Sequence, residues 1–289
     1  MMKIGIVTDS VSNLPQEFQE KENIKVLPVT IRFGNEVYQE GVNLLPQDFY
    51  RMLETVDEVP WISAPASREF LEMFESMRQE GFEGAVCILS CRICQSYNQV
   101  CEARDFARPF PAVVVDSHLA TMSQGFMVME AARAAEQGLA ITDIVERVWQ
   151  IRKQVHFYGL AGMLHYLVRS GHLSKGSAYM KALLNIQQLI TIDKETGEFI
   201  PAGKVKHRQG GYDFIKNQME QAAASGGKLH AAVLHANEAD EADRLYQSLS
   251  GSLDCAEIYL QDLSPAVVCH LGPGVVGASY FVENGSGQQ

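Results

Sequence analysis

Short apolar runs alternate with longer amphipathic stretches through the first half of the chain. "KIGIVTD" (3–9), "IKVLPVTIRF" (24–33), "GAVCILS" (84–90) and "AVVVDS" (112–117) are rich in Val and Ile and read as strands. Between them, "PQDFYRMLETV" (46–56), "SREFLEMFESMRQEG" (67–81), "QSYNQVCEARDFA" (95–107) and residues 118–138 read as helices, with Gly81 placed to end the second. "NEVYQEGVN" (35–43) predicts a small hairpin arm and "WISAPAS" (61–67) a loop. Strands that are continuously apolar, rather than alternating, belong in a parallel sheet covered on both faces. Two of them end alike, in "IVTDS" (6–10) and "VVVDS" (113–117). A carboxylate and a hydroxyl at the carboxyl end of a parallel strand sit where open α/β sheets hold ligands. The alternative is that Ser10 and Ser117 cap the helices that follow.

The second half changes character. "IQQLITID" and "EFIPAGKVK" flank the turn "KETG" and predict a hairpin. "KLHAAVLHA" (228–236), "AEIYLQD", "PAVVCHL" and "GVVGASYFV" read as further strands, separated in part by the helices "GYDFIKNQMEQAAASGG" and "ADEADRLYQSLSG". The expectation is α/β throughout. Residues 1–150 should form a parallel-sheet, three-layer α/β/α domain, and residues 151–289 an α/β domain with a mixed six-stranded sheet.

A chain of 289 residues favours two domains, because single cores rarely grow beyond roughly 250 residues. No run approaches the roughly 20 apolar residues of a membrane span. The chain enters a strand pattern almost at once, so no signal peptide is expected and a cytoplasmic setting follows. The net charge of −11, from 35 acidic and 24 basic side chains, argues against nucleic acid as a partner.

Four of six cysteines crowd "GAVCILSCRICQSYNQVCEA" (84–103): Cys87, Cys91, Cys94 and Cys101. The first three show a cluster-like spacing, but Cys87 lies inside a predicted buried strand, where cysteine serves as a small hydrophobe. Zinc lacks a second ligand pair, since Cys255 and Cys269 fall in separate predicted strands. No metal is expected. Cys91 and Cys94 follow a strand and precede a helix, a position that lowers thiol pKa, so a thiol-redox protein stays open as an alternative.

Five loops follow strands: "TDSVSNLP" (8–15), "ISAPAS" (62–67), "LSCRICQSY" (89–97), "VDSHLATMSQG" (115–125) and "CHLGPGVVG" (269–277). Four are rich in hydroxyl or small residues. The fifth joins His270 to Gly272-Pro273-Gly274, whose glycines allow close backbone approach. Converging donors of this kind suit an anionic group.

In this order the segments resemble the DegV family of bacterial fatty-acid-binding proteins. The likeness runs from "KIGIVTDSVSNLP" to "HLGPGVVGASYF" and takes in "VVVDSHLATMSQGFMV", "LHYLVRSGHLSKG" and "IQQLITIDKETGEFIPAGKVKHR". The resemblance implies a two-domain protein that encloses one long-chain fatty acid in an apolar tunnel, its carboxylate near the domain junction. It further implies a lipid-presenting subunit of a fatty acid kinase, in which a separate ATP-using partner phosphorylates the carboxylate. The chain itself would then need no cofactor and no catalytic residues, and it shows no Walker-type loop. The resemblance places ligand contacts at Ile62, Ser63, Cys91, Arg92, His270 and Gly272. Partner-facing residues fall at Arg169, His172, Lys206 and Arg208. Two loops depart from the family pattern. Ile62 stands where a threonine is usual, Cys91 and Cys94 replace serines, and Arg92 and Gln95 replace glycines. A thiol is a weak donor, so Arg92 either compensates by charge or faces solvent. A carrier for a different anionic amphiphile is the remaining alternative.

Overall fold

The computed structural model describes residues 2–55, 59–90, 92–169 and 187–283. The chain divides into two compact units. The first comprises Met1–Leu45, Pro60–Lys153 and Lys194–Gly197; the second comprises Pro46–Val59, Gln154–Asp193 and Glu198–Gln289.

The strands of the first unit are β1 (Ile4–Asp9), β2 (Ile24–Leu27), β3 (Thr30–Phe33), β4 (Glu36–Gln39), β5 (Trp61–Ser63), β6 (Gly84–Leu89) and β7 (Ala112–Asp116). A parallel sheet has the order β2-β1-β6-β7. Every position of β1 and β6 is buried, as their unbroken apolar runs require. Alternation of side chains along the strands gives the sheet two faces. Val7, Cys87 and Leu89 pack with Phe70, Phe74 and Val100, from the helices Ser67–Gln79 and Ser96–Phe106. On the other face the helix Thr121–Glu136 reaches Thr8 through Gln124. Parallel register brings Asp9, Leu89 and Asp116 to one edge of the sheet, and the loops after them inherit that position.

Residues 24–33 are not one strand. Pro28 has no N–H to give a ladder, so pairing stops at Leu27. The chain resumes as β3, which joins β4 and β5 in a separate antiparallel sheet of order β4-β3-β5. The hairpin expected within 35–43 contributes only one strand there, β4, and its partner is β3, upstream of that segment. Trp61–Ser63 is a strand where a loop was expected, because three residues are too few to show an alternation.

In the second unit β8 (His156–Leu160), β9 (Gln187–Ile192), β10 (Phe199–Val205), β11 (Lys228–His235), β12 (Cys255–Asp262) and β13 (Val276–Glu283) form a mixed sheet of order β10-β9-β8-β13-β11-β12. Within this sheet, among the described residues, β11 and β12 are the one parallel pair. Leu160, Leu229, Val233 and Ala278 pack beneath Ile215 and Met219 of the helix Arg208–Ala223 and Leu245 of the helix Ala239–Ser250. The segment "PAVVCHL" differs from expectation: Pro265–Leu271 is a helix in which every residue but His270 is buried. A short run apolar on all sides carries no period that separates strand from helix, whereas Pro265 at the start favours a first helical turn.

Candidate functional site

The polar centre of the first unit is Asp9, fully buried at the end of β1. A carboxylate there must find donors, since an uncompensated charge in the interior is expensive. Gln124 Nε2 donates to its Oδ1 at 3.1 Å and Cys94 Sγ donates to its Oδ2 at 3.2 Å. The Ser96 side chain and the Val11 backbone also hydrogen-bond it. Burial raises the Asp9 pKa above the ordinary carboxylate value, and these bonds pull against that rise. Gln124 Nε2 also donates to Thr8 Oγ1 at 3.1 Å, while its Oε1 accepts the Ser117 hydroxyl at 3.0 Å. One amide thus ties together the ends of β1 and β7.

The two carboxyl-end serines take different roles from simple helix caps. Ser10 Oγ donates to Glu40 Oε2 at 2.6 Å and accepts the Val29 N–H at 3.0 Å. Ser117 Oγ accepts the Leu119 N–H at 3.1 Å and fixes the loop after β7. Gln124 was missed in the sequence. Its signal was a lone amide inside "TMSQGFMVME", a stretch buried throughout.

Asp9 also anchors the loop after β6. Cys94 and Ser96 are buried, their Sγ and Oγ 2.9 Å apart. Gln95 between them adopts φ +64° and forms the N-cap of the helix Ser96–Phe106. A pocket of about 410 Å³ lies against this turn, lined by Ile62, Ser63, Ala64, Ala66, Ile93, Cys94, Gln95 and Gln99. The expected contacts Ile62 and Ser63 therefore share one pocket with the 93–95 turn. Arg92 is exposed and is not in that lining; its Cβ packs beside Gly197. Cys91 lies outside the described residues. Burial, and next the Asp9 charge, push the Cys94 thiol well above its ordinary pKa.

In the second unit the helix Pro265–Leu271 ends at Gly272, whose φ of +80° suits glycine. His270, half-buried, occupies the last turn, so His270 and Gly272 stand two residues apart at one helix end. Gly274 donates its N–H to Ala236 O at 2.8 Å. Tyr166, Arg208, Glu238, Pro273 and Gly274 belong to the wall of a pocket of about 430 Å³. Among the expected partner-facing residues, Arg169 and Lys206 are exposed and Arg208 is half-buried. His172 lies outside the described residues. The expected head-group residues fall in both units: Ile62, Ser63 and Arg92 in the first, His270 and Gly272 in the second.

Among the described residues, no group of three or more His, Cys, Asp or Glu side chains could hold a metal ion. No described helix is long and apolar enough to cross a membrane.

These features define a two-unit α/β protein, one unit built on a parallel sheet and the other on a mixed six-stranded sheet, with loop-lined pockets. Residues 3–283 match the family model described as an uncharacterised protein of the DegV family, and the chain belongs to that family. The DegV domain-containing protein BH3627 of Halalkalibacterium halodurans is 29% identical over 284 residues, covering 98% of this chain and 100% of that protein. The solved structure of DegV from Bacillus subtilis, described as a fatty acid binding protein, superposes with a TM-score of 0.88 at 26% identity. That match covers 98% of this chain and 100% of the other. The fatty acid binding DegV family protein SAG1342 of Streptococcus agalactiae gives the same TM-score at 22% identity, covering 98% and 100%, and shares the fold.

Proposed function

We propose that this chain binds a long-chain fatty acid in an apolar tunnel and presents its carboxylate to a separate fatty acid kinase, without catalytic residues or a cofactor of its own. The observation that carries the reading is the end-to-end likeness to the fatty acid binding DegV of Bacillus subtilis, at a TM-score of 0.88. Ile62, Ser63, Cys91, Arg92, His270 and Gly272 are the proposed head-group contacts. Arg169, His172 and Lys206 are proposed to face the kinase.

A second reading, a carrier for another anionic amphiphile, draws on the altered loops. Ile62 brings no hydroxyl, and the Cys94 thiol is committed to Asp9. Each missing donor would weaken carboxylate binding by about 1 kcal/mol. The thiol-redox alternative has less support: the surroundings of Cys94 push its thiol pKa up, whereas a reactive thiol needs it lowered.

Titrating delipidated protein with palmitic acid, its methyl ester and hexadecanol tests the proposal. Saturable binding of the acid in preference to the two neutral lipids supports it. Equal binding of all three removes the carboxylate site, and preference for a different anionic lipid selects the second reading.

A further inference from the structure

Within the second unit, the turn Gly272–Pro273–Gly274 is held from several directions. Gly272 donates its N–H to Val268 O at 2.7 Å, and Gly274 donates to Ala236 O at 2.8 Å. The Gly274 carbonyl accepts Arg208 Nη2 at 2.8 Å. The same nitrogen lies 3.2 Å from Glu238 Oε1. Both glycines have positive φ, +80° and +87°, conformations that carry no Cβ restraint of their own, so on either side of Pro273 the turn takes its shape largely from these bonds.

Arg208 is the first residue of its helix, an end where the helix dipole disfavours a cation. Its partners account for its place there. Glu238 supplies the opposite charge, and the Gly274 carbonyl takes a charge-assisted bond, stronger than a neutral one. Nη2 of the guanidinium is thus engaged by the protein's own Gly274 carbonyl and Glu238 carboxylate.

We propose that Arg208 is a positioning residue for the head-group contacts of the second unit: through Gly274 it fixes the turn that follows His270, instead of serving as a docking cation for a partner. The inference rests on the fatty-acid reading above.

The test uses the full-length chain as wild type, Arg208→Ala and Arg208→Lys. Amide exchange across residues 270–276 is followed in the lipid-free protein, and affinity is measured for palmitic acid and its methyl ester. In Arg208→Ala, exchange at the turn should rise about tenfold or more, and affinity for the acid should fall by a similar factor. Affinity for the ester should hold, which general damage to the fold would not allow. Lysine still reaches one acceptor, so Arg208→Lys should fall between the two. Unchanged exchange in Arg208→Ala overturns the role, as does faster exchange with an intact preference for acid over ester. Wild-type protein that binds neither lipid overturns the fatty-acid reading and this role with it. Wild-type binding with an unmoved variant overturns the role alone.

Discussion

Replacing Gln124 with Leu tests the buried network at the sheet edge, because Leu keeps most of the volume and removes every hydrogen bond. Asp9 Oδ1 loses the donor at 3.1 Å, a bond to a carboxyl with no access to water. Such a loss costs about 1.5–3 kcal/mol. Thr8 keeps its bond to Ile88 O, and Ser117 keeps the Leu119 N–H, so each adds only about 0.5 kcal/mol. Burying Leu in place of the amide returns about 1 kcal/mol. The net expectation is a loss of about 2 kcal/mol at pH 7.

Acid should shrink that loss. Asp9 titrates above its ordinary value in the folded chain, so its neutral form is favoured by folding. Its contribution to stability is therefore fully present below the unfolded carboxylate pKa and is lost as pH rises through the folded one. Without Gln124 the charged form is worse compensated still, and the penalty concentrates at neutral pH. Urea unfolding at pH 7 and pH 5 reads this directly. Both tryptophans, Trp61 and Trp149, belong to the first unit, so their fluorescence follows the part of the chain that contains Asp9. A loss below about 1 kcal/mol at both pH values, or one that grows on acidification, would refute the reasoning.

Other outcomes follow from single positions. Gln95→Gly should raise stability by about 1 kcal/mol, since φ +64° is a left-handed conformation that costs a residue with a Cβ; an unchanged or lower denaturation midpoint would count against this. Burial lowers the His235 pKa below its ordinary value, with Asp262 and Glu238 opposing, so its share of stability is lost as pH falls from 6.5 through the folded value. His235→Asn should flatten the stability profile in that window, and an unchanged slope would contradict the assignment. Arg92→Ala and His270→Ala should each weaken fatty acid binding about tenfold if both meet the carboxylate, measured by titration; if neither alters affinity, the head-group residues are misassigned.

The sequence made the parallel sheet legible because β1 and β6 are buried on both faces, and continuous Val and Ile runs say so without ambiguity. It obscured the break at Pro28, where one apolar run serves two sheets, and the helix Pro265–Leu271, where uniform burial erases the period. Pairing across the sheet edge was harder still. Asp9 could be seen as a carboxylate at a strand end, but its link to Gln124 joins residues 115 positions apart, and no local pattern encodes that distance. Gln95 shows the reverse case. The resemblance sets a glycine at this position, and the left-handed φ supplies the physical reason that glycine would suit it.

Identification of the lipid carried by the purified chain tests the central claim most directly. The protein is expressed, washed free of loosely held lipid and extracted with organic solvent, and the extract is weighed against protein by mass spectrometry. The account predicts one long-chain fatty acid per chain. A clean extract from protein that also resists loading with any fatty acid would contradict it.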